Sequence, residues 1–215
     1  MLNGAIFDMD GTLLDSMPMW DKIGETFLRS MHITPRRGLR EEMLPLTLLQ
    51  SAEYFRREYG INMSDDEMLC SFNELLFGYY SEEAPLKPYV REFLEKLRTK
   101  GVKMCVATAT ERSLVEAALK RLDISKYFEF LITCREAGAN KNTPVIFDCA
   151  LELLGTEKRD TVIFEDAFHA IRAAKGAGYR VCAVNDLSAK GRYHEITALA
   201  DWHVDTLDRW EIDLI

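Results

Sequence analysis

Asp8 and Asp10 stand one residue apart, and Gly11 and Thr12 follow at once. Residues i and i+2 of an extended segment face the same way, so both carboxylates are expected to point into one small space. Carboxylates that close repel unless a cation or a proton intervenes. Asp166, preceded by Glu165, supplies a further acid at the end of another apolar run. Three acids at one edge suit a hard divalent cation, and Mg²⁺ is the usual choice with phosphate substrates. Gly11 allows a tight turn and lets a backbone amide approach an anion closely. Thr108 offers a hydroxyl and Lys141 a point charge for the remaining oxygens of a phosphoryl group. Together these parts make a phosphoryl-transfer site. Taken singly they are ordinary. An Asp-x-Asp-Gly also closes turns, an acidic pair also favours a helix N-terminus, and threonines and lysines are common.

The elements that must bring these residues together are short apolar runs at 4–7, 102–108, 130–133, 161–165 and 180–184. None alternates cleanly between polar and apolar, which is the pattern of parallel strands covered on both faces. Helical patterns lie between them, at 89–100, 114–122 and 145–154, and Gly101 and Gly178 stop helices before the next strand. Alternation at this spacing predicts an α/β fold with a doubly wound parallel sheet. Ligands in such sheets sit outside the carboxyl ends of the strands, which is where Asp8, Asp10, Thr108, Glu165 and Asp166 fall.

One region breaks the rhythm. From about residue 16 to 85 there are helical patterns, at 20–31, 41–59 and 65–80, punctuated by Pro35, Pro45 and Gly60, and no convincing strand. This reads as a small inserted helical domain, with 1–15 and 86–215 forming the core domain. Phe72, Phe77, Tyr79 and Tyr80 are expected to pack it.

The stretches DMDGT at Asp8–Thr12, VATAT at Val106–Thr110, Lys141, and FEDAFHAIRAAKGAG at Phe164–Gly178 resemble, in order, the four motifs of the haloacid dehalogenase superfamily. The helical block resembles that superfamily's first type of cap. The chain looks most like β-phosphoglucomutase-like and phosphoglycolate-phosphatase-like hydrolases. The resemblance implies a Rossmann-like core and an aspartyl-phosphate intermediate on Asp8, with Asp10 as general acid and base. It implies Mg²⁺ held by Asp8, the Asp10 carbonyl and Asp166, with Glu165 acting through water. It also implies a phosphoryl group contacted by Gly11, Thr12, Thr108, Ala109 and Lys141. There are departures: Asn140-Lys141-Asn142 stands where Gly-Lys-Pro is usual, and Ala167 and Ala170 stand where serine and glycine are common.

The 215 residues are 47% hydrophobic and carry a net charge of −8, which argues against nucleic acid or an anionic membrane as partner. The five cysteines form no CxxC pair, no basic leader precedes the first strand, and no apolar run approaches a membrane span. Asn62-Met63-Ser64 matches a glycosylation sequon and reads as chance. A cytoplasmic monomer acting on a small phosphorylated metabolite is expected. A phosphatase fits first, with linkers near 16–18 and 83–88 as hinges. A sugar phosphomutase with the same nucleophile is the alternative; it needs a second phosphate clamp, for which Arg36, Arg37 and Arg40 are the candidates. A non-catalytic phosphate-binding or phospho-accepting module is the third reading, and the presence of Asp10 argues against it.

Overall fold

The computed structural model describes residues 2–43 and 46–211. In chain order the elements are β1 (Gly4–Phe7); helices α1 (Met17–Trp20), α2 (Ile23–Ser30), α3 (Leu39–Met43), α4 (Leu48–Tyr59), α5 (Asp65–Glu82) and α6 (Val90–Thr99); then β2 (Lys103–Thr108) and α7 (Arg112–Arg121). There follow β3 (Phe130–Thr133), α8 (Cys134–Ala137), α9 (Val145–Leu154), β4 (Thr161–Glu165), α10 (Phe168–Gly176), β5 (Arg180–Val184), α11 (Tyr193–Leu199) and β6 (Trp202–Val204). The chain divides into two compact units, Met1–Asp15 with Ala84–Ile215, and Ser16–Glu83.

The first unit is built on a six-stranded sheet of order β3-β2-β1-β4-β5-β6, and every pairing is parallel. β6 has no counterpart in the sequence reading, because three residues between Asp201 and Asp205 are too few to show a pattern. β1 is the first strand in the chain and a central one in space, and the winding direction reverses there. That reversal makes the crevice outside β1 and β4 the expected ligand position. Register matters here. Phe7 pairs with Phe164 across β1 and β4 and with Val106 across β1 and β2, so Asp8 comes level with Glu165. Adjacent strands lie about 4.8 Å apart, and the two carboxylates therefore start from neighbouring points on one face.

Both faces of the sheet are packed. On one, Ile6, Cys105, Ile163 and Val181 meet Ile146, Phe147 and Ala150 of α9 and Ile171 and Ala174 of α10. On the other, the Phe7 and Phe164 rings stack with centroids 4.6 Å apart, and Phe93 and Trp210 close on Phe164 edge-on at 5.3 and 5.2 Å. The places where the chain leaves and re-enters this unit are tied to each other. Asp15 N–H donates to the Pro85 carbonyl at 3.0 Å, and Lys87 N–H to the Leu13 carbonyl at 2.9 Å.

Among its described residues the second unit has helices joined by loops and no strand. Phe27 lies 5.2 Å from Phe55 and 4.8 Å from Phe72 between ring centroids, and Leu76 and Tyr80 are buried with them. Phe77, expected in this core, is 49% exposed. It stands one residue off the buried stripe of Phe72, Leu76 and Tyr80. The pattern over 41–59 is not one helix, because the reciprocal cap between Thr47 and Gln50 starts α4 afresh. Pro45, read as punctuation, lies outside the described residues. Ser64 and Glu67 cap α5 in the same way. No described helix is long and apolar enough to cross a membrane.

Candidate active site

β1 stops at Phe7, and the chain turns through Asp8–Leu14. Leu13 and Leu14 N–H groups donate to the Met9 carbonyl at 2.9 and 2.8 Å, and the Gly11 N–H, expected to face an anion, donates to the Leu14 carbonyl at 2.9 Å. Gly11 has φ +84°, and a β-carbon there would lie 2.6 Å from Asp166 Cγ. Only glycine fits a backbone of that conformation so close to a carboxylate. The turn buries Asp8 and Thr12 while Asp10 remains partly exposed.

Among the described residues, Asp8, Glu165 and Asp166 form a buried cluster whose ligand oxygens all lie within 4.8 Å of one another. Lys141 is buried beside them. Its ammonium donates to Asp8 Oδ1 and, at 2.8 Å, to Glu165 Oε2. The other Glu165 oxygen accepts the N–H groups of Asp166 at 3.2 Å and Ala167 at 3.0 Å, which fixes the carboxylate in place. The Thr12 hydroxyl donates to Asp166 Oδ1 at 3.2 Å. Thr108, at the end of β2, is buried and accepts from the Thr110 N–H at 3.1 Å. Ala109 is exposed between them.

Local sequence explains how Lys141 arrives. Thr133 and Glu136 cap α8, and Gly138 ends it at φ +67°. Asn140 then makes an Asx turn, its side-chain oxygen accepting from Asn142 N–H at 3.0 Å. The asparagine that departs from the usual glycine here builds the loop with its side chain instead.

The electrostatics are unbalanced. Three buried carboxylates face one ammonium. Burial and the charge of Glu165 push the Asp8 carboxyl up to about 8, although Lys141 pulls against them. Burial, then Glu165, Asp8 and Asp186, raise Asp166 well above the usual carboxylate range. Burial disfavours the charge on Lys141, but Asp8 and Glu165 overcome it and hold the ammonium above its ordinary value. A divalent cation would relieve this excess, because it reverses the local logic that drives both carboxyls upward. Mg²⁺ binds oxygens at about 2.0–2.1 Å in an octahedron, and the all-carboxylate donor set of the cluster suits that ion.

The contacts of two residues escaped the sequence reading. The Thr110 hydroxyl donates to Asp10 Oδ2 at 2.6 Å; a threonine two residues past a strand carries no signal of its own. The Lys87 ammonium donates to the Gly11 carbonyl at 2.7 Å, the Asn185 carbonyl at 2.7 Å and Asp186 Oδ2 at 2.8 Å.

Three strand-end acids and one lysine meeting at the reversal of a parallel sheet agree with what residues 5–184 match as a whole, the haloacid dehalogenase-like hydrolases. The chain belongs to that family. It is 30% identical over 190 residues to a phosphorylated carbohydrates phosphatase of Thermotoga maritima, covering 82% of each chain. It is 26% identical to the pyrophosphatase PpaX of Bacillus cereus, covering 96% of this chain and 93% of that one. A solved Thermotoga maritima structure, assigned provisionally as a β-phosphoglucomutase, superposes with a TM-score of 0.81 at 27% identity, covering 94% of each chain. This family member is thus an enzyme, a hydrolase with phosphatases among its named relatives.

Proposed function

We propose that this hydrolase is a Mg²⁺-dependent phosphatase of a small phosphomonoester, with Asp8 as nucleophile. The observation that carries the reading is the buried trio Asp8, Glu165 and Asp166 with Lys141 inserted among them. Asp8, Asp166 and the Asp10 carbonyl would hold the ion, with Glu165 beside them. Bound there, it would neutralise charge on the carboxylates and the phosphoryl oxygens. Asp8 attacks phosphorus in line, and the bond to the ester oxygen breaks as Asp10 gives that oxygen a proton. Asp10 then takes a proton from water, whose oxygen attacks the aspartyl-phosphate. The bond to Asp8 breaks, and inorganic phosphate leaves. Thr110 holds the Asp10 carboxylate by the 2.6 Å hydrogen bond. Lys141 offsets the charge of Asp8 as an anionic phosphoryl group approaches, and Thr108 and the exposed backbone at Ala109 hold the transferring oxygens.

On this reading Ser16–Glu83 is the cap domain and selects the substrate. The test is turnover of p-nitrophenyl phosphate with excess Mg²⁺, followed by a panel of sugar phosphates, phosphoglycolate and pyrophosphate. Phosphate release that EDTA stops is expected. An inert enzyme refutes the reading. The likeness to the provisional β-phosphoglucomutase favours one second reading, a mutase. In the second unit Arg36 pairs with Glu58 at 3.2 Å and Arg40 with Asp21, so two of the three arginines considered for a second phosphate clamp are already engaged. Conversion of β-glucose 1-phosphate only in the presence of its bisphosphate, with little phosphate released, would establish the mutase instead.

A further inference from the structure

Lysine is rarely buried without a partner, yet the Lys87 side chain is 11% exposed and that of its ion-pair partner Asp186 is 5% exposed. The ammonium has three protons, and the three acceptors at 2.7, 2.7 and 2.8 Å match them one for one. Asp186 is itself oriented, its other oxygen accepting the Ser188 N–H at 2.9 Å and hydroxyl at 2.6 Å. One acceptor stands apart by its location. Gly11 lies between Asp10, which accepts from Thr110, and Thr12, which donates to Asp166. Its N–H is already committed to Leu14, so the carbonyl bond to Lys87 fixes the second end of the same residue.

We infer that Lys87 is a positioning residue for the reaction: its ammonium clamps the Gly11 carbonyl to the Asn185–Asp186 segment and so sets the turn that aims Asp10 and Thr12. The inference rests on the assignment of Asp10 as the proton donor and acceptor. A buried ion pair that serves stability alone can be replaced by two apolar residues with little loss. A positioning clamp cannot, because the replacement leaves the Gly11 carbonyl unheld.

That difference is the test. Lys87→Met and the double variant Lys87→Met with Asp186→Leu are compared with wild type for p-nitrophenyl phosphate turnover in excess Mg²⁺ and for thermal midpoint. In the single variant kcat is expected to fall about 10–100-fold, the range for loss of an outer partner of a site ligand, with KM within about threefold of wild type. The double variant is expected to recover its thermal midpoint, because no carboxylate is then buried without a counter-charge, while kcat stays low. Should the single variant not fold, the double variant decides alone. Recovery of kcat together with stability in the double variant overturns the inference, and so does a single variant with unchanged kcat. A wild type inert toward p-nitrophenyl phosphate and the whole panel of sugar phosphates, phosphoglycolate and pyrophosphate overturns the phosphatase reading and this inference with it. An active wild type beside an unaffected Lys87→Met overturns the inference alone.

Discussion

Replacing Gly11 by alanine isolates the link between the first turn and the acid cluster. Two costs arise in the metal-free protein. A residue with a β-carbon held at φ +84° is strained by about 1–2 kcal/mol. The new carbon would also stand 2.6 Å from Asp166 Cγ and 3.0 Å from its Oδ1, where unstrained contacts are about 3.5–4.0 Å. The carboxylate must therefore retreat by about 1 Å, and its 3.2 Å hydrogen bond from Thr12 is lost, at about 0.5–1.5 kcal/mol. The sum, about 1.5–3.5 kcal/mol, lowers the midpoint of a chain this long by roughly 3–14 °C. Gly178→Ala is the control, since it has φ +81° and nothing within 4 Å of its β-carbon. It should show the backbone strain alone. Metal then separates the two variants. A carboxylate displaced by 1 Å no longer meets an Mg–O distance of about 2.0–2.1 Å, and each tenfold loss of affinity removes about 1.4 kcal/mol of ligand stabilisation. Thermal melts in EDTA and in excess Mg²⁺ measure both effects. Gly178→Ala should gain as much from Mg²⁺ as wild type, and Gly11→Ala clearly less. Equal gains in all three proteins would refute the placement of Asp166 in the ion site.

Asp8→Asn and Asp10→Asn should each abolish turnover of p-nitrophenyl phosphate, and a near wild-type single-turnover rate in Asp8→Asn would remove it as nucleophile. Phe164→Ala, which empties the ring stacked on Phe7 at 4.6 Å, should cost about 3–5 kcal/mol in denaturant unfolding, and a loss below about 1 kcal/mol would contradict the packing beneath the acids. The Arg112 guanidinium holds the Glu136 carboxyl down to about 2. A depressed carboxyl stabilises the fold above its unfolded value, ordinarily 4.5, and loses that contribution as pH falls toward 2. Both side chains of that pair are well exposed, 43% and 39%, so the contribution is small. The midpoint difference between wild type and Glu136→Gln should shrink between about pH 7 and about pH 3.5, and a constant difference would refute the role of the pair.

What the sequence reveals and what it hides divide along physical lines. Five of the six strands are legible because each is an apolar run covered on both sides, and apolarity is a local property. β6 is hidden because it is short and its flanks are acidic. The break between α1 and α2, where the reading expected one helix from Trp20, falls at Asp21-Lys22, and no proline or glycine marks it. Asp8, Glu165 and Asp166 are legible as candidates because acids at the ends of apolar strands are conspicuous, whereas Lys141, in a loop beyond α8, is legible only through the family motif it resembles; the structure brings the four together. Thr110 and Lys87 are not conspicuous. Their importance lies in partners 100 and 76 residues away, and no local pattern encodes such a distance. Thr12 falls between the two cases: it looks like a phosphate contact, but its hydroxyl is spent on Asp166.

The position of β1 also bears on how the protein comes into being. β1 is made well before both its neighbours in the sheet, and Thr12 waits 154 residues for Asp166. At about 5–20 residues per second that delay is roughly 8–30 s. The helical unit, whose contacts lie within one continuous segment, is translated whole in the interval. Every nascent chain therefore carries an unpaired, apolar β1 beside a helical segment that is made before either neighbouring strand, and Asp8 meets Lys141 only 133 residues later.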